Sequence, residues 1–205
     1  SGLTGDGIQI DVDIGDADGA NQIMIIGNRI ENNTGFGVLV ETTGTAVENS
    51  FLKMTDNFIQ NNVAGGADIK GLIVTLENNG FTLNRGVGAV RLRFQNAINR
   101  LVTMRNNAFE NNEPGALDIQ AANNAIIEQN ECLQSSAPVV AYTRCFTLAG
   151  GGGSTANVVF RNTFIRVRAD ANPHTAFEIG ADADTTVIEN TIWDQYDAAG
   201  QTRLS

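Results

Sequence analysis

Asp68, Arg91 and Asp118 lie far apart in the chain, yet each sits in the same local pattern. The triplets read Ala67-Asp68-Ile69, Val90-Arg91-Leu92 and Leu117-Asp118-Ile119. Alternation of that kind turns the charged side chain to one face of a strand and its apolar neighbours to the other. Strands stacked side by side would hold the two carboxylates about two strand spacings apart, ~10 Å, with a guanidinium between them. That separation suits inverting carboxylate chemistry, in which a water fits between the general acid and the general base. Asp68 and Asp118 could equally hold a calcium ion, with Arg91 or Lys70 as a proton-abstracting base. Asp11, Glu41, Arg93, Gln120 and Glu178 occupy further outward positions of the same pattern. The competing expectation is a solvated face whose mixed charge keeps a sheet surface soluble.

Other chemistry is thinner. Asp11, Asp13, Asp16 and Asp18 form the densest acidic stretch and a candidate calcium site, since hard cations want several carboxylate oxygens. The stretch is not an EF-hand loop: Ile14 stands where a ligand is required and no terminal Glu follows. His174 is the only histidine and falls in an expected loop, which leaves little room for zinc or Ser-His-Asp chemistry. Trp193 and Tyr196 suit either a sugar-stacking platform or a cover for the end of the fold, and the cover is the stronger expectation. Gly150 to Gly153 reads as a loop tip, because no Lys-Ser/Thr follows to complete a phosphate cradle. Cys132 and Cys145 have no metal-ligand spacing. They either close a disulfide in an exported protein, or Cys132 serves as a small buried hydrophobe.

The elements that must position these residues are set by a repeat. An asparagine followed two residues later by an apolar or Cys side chain recurs at Asn28, Asn57, Asn79, Asn107, Asn130, Asn162 and Asn190. Three residues before each stand Ile25, Met54, Leu76, Met104, Ile127, Val159 and Val187; two after stand Ile30, Ile59, Phe81, Phe109, Cys132, Phe164 and Ile192. A turn follows, then an alternating pair such as Val38 and Val40, Ala67 and Ile69, Leu117 and Ile119, Val140 and Tyr142, or Phe177 and Ile179. Apolar residues two apart mean short strands with one buried face, and no stretch sustains a helical period. A fixed motif at variable spacing is the mark of a solenoid, with loops of different length hanging from similar coils. The loops are expected at Gly44–Asn49, Leu148–Thr155 and Val167–Thr175. Asn at each corner tolerates left-handed backbone geometry and can bond the next Asn in a stack, so the seven asparagines are expected to form a ladder. Second asparagines at Asn32, Asn61 and Asn111 reinforce it. In the fourth coil Arg91 falls where an inward residue is due, which predicts a one-residue bulge there.

The succession Asn-x-hydrophobic-x-x-Asn, a Gly-marked turn, then hydrophobic-x-hydrophobic resembles the repeat of right-handed parallel β-helices of the pectate-lyase-like superfamily, over roughly residues 5 to 195. The resemblance implies an all-β, single-stranded, right-handed parallel β-helix of about seven coils, spanning residues 1–205 as one domain. It also implies that any enzymatic residues would lie outward on one strand ladder, with a polysaccharide along the groove. In that setting Asp68, Arg91 and Asp118 would belong to a lyase or glycoside hydrolase acting on acidic glycans.

Composition narrows the partners. Lys and Arg number 13 against 23 Asp and Glu, a formal charge of −10, which argues against nucleic acid and anionic membranes. No apolar run approaches the ~18 residues of a membrane span. No basic, then hydrophobic, leader opens the sequence, so the chain reads as a mature or trimmed piece of something longer. The expectation for function is a secreted or cell-surface β-helix with a structural, adhesive or glycan-binding role rather than an enzyme. No cofactor is required, with calcium as the one candidate ion. Open solenoid ends suggest a homo-oligomer or filament.

Overall fold

The structure is a computed structural model describing residues 4–13, 22–43, 50–71, 73–93, 101–120, 124–134, 143–148, 158–168, 174–180, 186–189, 192–196 and 202–203. The first strands are β1 (Ile8–Asp13), β2 (Gln22–Ile26), β3 (Arg29–Glu31), β4 (Phe36–Thr43), β5 (Phe51–Thr55) and β6 (Phe58–Gln60). Then come β7 (Gly65–Lys70), β8 (Ile73–Glu77), β9 (Gly80–Thr82), β10 (Val90–Arg93), β11 (Leu101–Arg105) and β12 (Ala108–Glu110). Next are β13 (Gly115–Ile119), β14 (Asn124–Glu128), β15 (Glu131–Gln134), β16 (Thr143–Leu148), β17 (Val158–Arg161) and β18 (Phe164–Arg168). The chain finishes through β19 (His174–Ile179), β20 (Thr186–Glu189), β21 (Ile192–Tyr196) and β22 (Thr202–Arg203). Every third strand pairs in parallel, giving three sheets in the orders β1-β4-β7-β10-β13-β16-β19, β2-β5-β8-β11-β14-β17-β20 and β3 through β21 by threes. Such a topology is compatible with a β-helix solenoid. The described residues contain no helix, so none is long and apolar enough to cross a membrane.

Alternation drives the packing. In the first sheet Val38, Ala67, Val90 and Leu117 stack inward in one row, and Val40, Ile69, Leu92 and Ile119 in the next. All eight are buried. Phe81 and Phe109 stack in the third sheet with centroids 5.4 Å apart, while Phe146, Phe160 and Phe177 cluster further along the interior. No rung holds enough apolar surface to fold alone; stacking makes the core continuous.

The corners explain the asparagines. Asp56, Asn78, Asn106 and Gln129 have positive φ, and the residue after each is a buried Asn. Asn57 Oδ1 accepts from the backbone N–H and Nδ2 of Asn28, at 3.0 and 3.1 Å. Its own Nδ2 donates to the Ile25 carbonyl at 2.7 Å and to Asn79 Oδ1 at 3.0 Å. Both lone pairs and both amide protons are therefore used, and the pattern continues through Asn79 and Asn107 to Asn130. A second buried ladder, Asn33, Asn62, Asn84 and Asn112, guards the other end of the short β3, β6, β9 and β12 strands. The second asparagines expected at Asn32, Asn61 and Asn111 are instead the left-handed residues just before it.

Several expectations are corrected by the register. Asn162 is exposed, has a φ of 47° and stands one residue ahead of the ladder; Thr163, buried, takes the ladder place and donates to the Arg161 carbonyl. The inward residues there are Phe160 and Ile165, paired with Ile127 and Cys132, rather than Val159 and Phe164. Asn190 lies outside the described residues. In the first sheet the inward pair after Ile119 is Phe146 and Leu148, not Val140 and Tyr142, which lie outside the described residues. Leu148 thus ends a strand rather than opening a loop, and His174 begins β19. The extra residue of the fourth coil is not a bulge within β10, where Arg91 pairs in register with both Asp68 and Asp118. It sits in the preceding turn, where Gly88 N–H donates to the Arg85 carbonyl and Gly86 and Gly88 take positive φ.

Cys132 and Cys145 are joined by a disulfide between β15 and β16, so the buried-thiol alternative does not hold. Cross-linking positions 13 residues apart contributes on the order of 3 kcal/mol by restricting the unfolded chain. At the far end β22 pairs antiparallel with β21, which carries Trp193 and Tyr196.

Replacing Asn79 by Ala orphans the Asn57 N–H and the Met54 carbonyl at once and should cost about 3 kcal/mol or more. Asn162→Gly, outside the ladder and already left-handed, should stay within about 0.5 kcal/mol of the parent. Urea denaturation of the two variants measures the difference.

Candidate functional site

The outward face of the first sheet collects the charged residues that the alternation singles out. Asp11 pairs with Glu41, Asp68 with Arg91, Lys70 with Arg93, Arg91 with Asp118, and Thr147 with Glu178. Asp68, Arg91 and Asp118 are thus neighbours on three successive strands, which puts the two carboxylates about two strand spacings, ~10 Å, apart along the sheet.

Their environments differ sharply. Asp68 is only 1% exposed although it points outward, because two arginines cover it. Arg91 reaches it through Nε at 3.2 Å and Nη2 at 2.5 Å, and Arg93 through Nε at 2.7 Å. Arg93 also donates through Nη2 to Glu41, and Lys70 Nζ lies 3.5 Å from the same carboxylate. Burial works against the Arg93 charge, yet the hydrogen bonds to Asp68 and Glu41 raise its pKa above the ordinary arginine value. The set forms a cross-linked patch spanning β4, β7 and β10, in which three cations share two carboxylates.

Asp118 is held differently. Its Oδ2 accepts from Gln120 Nε2 at 3.1 Å, while its Oδ1 is buried and has no hydrogen-bond partner. Burial pushes its pKa up, against the opposing pull of Gln120, Arg91 and Arg144. Asp118 lines a pocket of about 210 Å³ with Val87, Arg91, Pro114, Arg144 and Thr147. Arg144 in turn pairs with Glu178 at 2.7 Å. The Arg85–Gly88 turn supplies one wall, so the residue that displaces the fourth coil's count also shapes the pocket.

Arg144 and Thr147 are absent from the charged positions read from the pattern. Their signal was Phe146-Thr147-Leu148, which has the same alternation as Leu117-Asp118-Ile119 but follows a long interval that hides the register. Of the candidate calcium residues, Asp11 is exposed and accepts from Gln9 at 3.3 Å, and Asp13 closes β1. Asp16 and Asp18 lie outside the described residues. Among those described, no group of three or more His, Cys, Asp or Glu side chains is placed to hold a metal. No family model matches the chain, and no curated protein or solved structure matches it.

Asp68→Ala leaves Arg91 and Arg93 without their shared partner and should destabilise by about 3 kcal/mol or more. The half-exposed Arg161–Glu189 pair should contribute under about 1 kcal/mol, so Arg161→Ala serves as the comparison in chemical denaturation. For Asp118 the sign runs the other way from a salt-bridged carboxylate. Its folded pKa is raised, so the folded state holds the proton longer, and stability falls as pH climbs from the ordinary Asp range to that raised value. Asp118→Asn should flatten this fall and leave the protein at least as stable as the parent at neutral pH, as pH-dependent denaturation would record.

Proposed function

We propose that the chain is a right-handed parallel β-helix of about seven coils over residues 1–205, similar in architecture to the pectate-lyase-like superfamily. It works outside the cell or on its surface as a structural, adhesive or glycan-binding module. The observation that carries this reading is Asp68: a carboxylate buried under two arginines is committed to holding strands together and offers no free base. A surface whose charges are already engaged with one another suits recognition of polar, hydroxylated polymers better than proton transfer. The buried disulfide supports an oxidising compartment, since such bonds persist in exported proteins. Among the described residues, β1, β2, β3, β19 and β20 each have a sheet neighbour on one side only, which leaves backbone groups for pairing with a second copy.

The rival reading, a lyase or hydrolase of acidic glycans, draws on Asp118, whose raised pKa suits a general acid. It needs Asp68 or a neighbour as the partner group, and Asp68 is already occupied. On the module reading, the protein retains glycans on an array or sediments as a concentration-dependent oligomer, and releases no unsaturated or reducing sugar from pectate or alginate. Product formation that is lost in Asp118→Ala would establish the enzyme instead. A monomer that binds no glycan would remove the support for the module.

A further inference from the structure

The pocket between β10, β13 and β16 has features that the module reading leaves unused. Its two guanidinium groups already have carboxylates: Arg91 has Asp68, and Arg144 has Glu178. An incoming acidic sugar would have to compete for both, and it would meet the Asp118 carboxylate beside them. What is missing here is a donor to Asp118 Oδ1. Asp118 lines it and has one buried oxygen with no hydrogen bond, and leaving such a group unsatisfied is costly. Val87, Pro114 and Leu117 add apolar surface to the lining. At about 210 Å³ the space suits one sugar ring rather than a long segment.

We propose that this pocket binds a single neutral sugar unit, held by a ligand hydroxyl that donates to Asp118 while the apolar wall takes the ring's C–H face. The inference rests on the glycan-binding reading above and adds that the bound unit is neutral rather than a uronic acid. Its affinity is linked to protons. A hydroxyl donor satisfies the ionised carboxylate, so binding competes with protonation of Asp118 and weakens on acidification, by about tenfold for each pH unit below that group's pKa. The charged groups around it are Arg91 and Asp68 from β10 and β7, Arg144 from β16 and Glu178 from β19, with Gln120 just past the end of its own strand. Gly86, Val87 and Pro114 bring no ionisable side chain to the lining. A uronate would show the opposite trend, because its own charge is best tolerated when Asp118 is protonated.

The test uses the whole chain with two sets of probes, neutral oligosaccharides (cello-, xylo- and manno-oligomers) and oligogalacturonates, titrated by calorimetry from pH 4 to 8. The proposal expects a neutral oligomer to bind more tightly than the uronates, with affinity rising with pH. Asp118→Asn should weaken it about tenfold or more and remove the pH dependence. Val87→Trp, which adds bulk to the pocket from the turn that packs on Gly65 of β7, should abolish binding while the thermal melt stays cooperative. Tighter binding of oligogalacturonate, or affinity that improves on acidification, overturns the neutral-sugar inference and leaves the glycan-binding reading standing. Neutral binding unchanged by both variants also overturns it, because the sugar then sits elsewhere. If no probe of either class binds, the glycan-binding reading falls with it.

Discussion

Parallel strands stacked rung on rung leave one problem that the sheets cannot solve. At each corner the chain turns through left-handed backbone geometry, and the polar groups beside the turn are buried with no strand partner. The asparagine ladders answer it. An Asn amide has two donors and two acceptor sites, and in Asn57 all four are used between the rung before and the rung after. No hydroxyl can do the same, which is why Thr163 ends the first ladder by turning back to its own strand. The buried aliphatic columns, the aromatic stacks and the outward charge rows all inherit their alignment from these corners.

The register the ladder enforces then decides what the outer face can do. In a parallel sheet equivalent residues stand side by side, so Asp68, Arg91 and Asp118 become neighbours although they are far apart in the chain. Adjacency cuts two ways. It brings Arg91 and Arg93 over Asp68 and buries it. It leaves Asp118 beside arginines that already have their own carboxylates, with burial unrelieved by any donor to Oδ1. Two aspartates with the same local sequence pattern thereby differ in burial and hydrogen-bond partners through their neighbours alone.

Much of this was legible before any coordinates. Short strands with one buried face follow from Val38 and Val40, Ala67 and Ile69, or Leu117 and Ile119, because period-two alternation has no other economical packing. The outward placement of Asp11, Glu41, Asp68, Lys70, Arg91, Arg93, Asp118, Gln120 and Glu178 follows from the same alternation. Where intervals between repeats lengthen, the count loses its footing: the Asn162-Thr163 pair fits the motif in two registers, and only pairing with Glu128 and Asn130's neighbours selects Thr163. The second ladder escaped for a related reason, since adjacent asparagines such as Asn32-Asn33 or Asn61-Asn62 do not reveal which takes positive φ and which turns inward.

The sequence by itself determined the strand type, the inward and outward sets and the need for asparagine at the corners, because these depend on local alternation and turn geometry. Tertiary structure alone decided which charges meet. That Asp68 is covered, that Asp118 is left short of a donor and that Arg144 and Thr147 complete a pocket with the Arg85–Gly88 turn all depend on strands from different rungs lying in a common register. Side-chain electrostatics acts over a few ångströms in space, and distance along the chain carries almost none of that information.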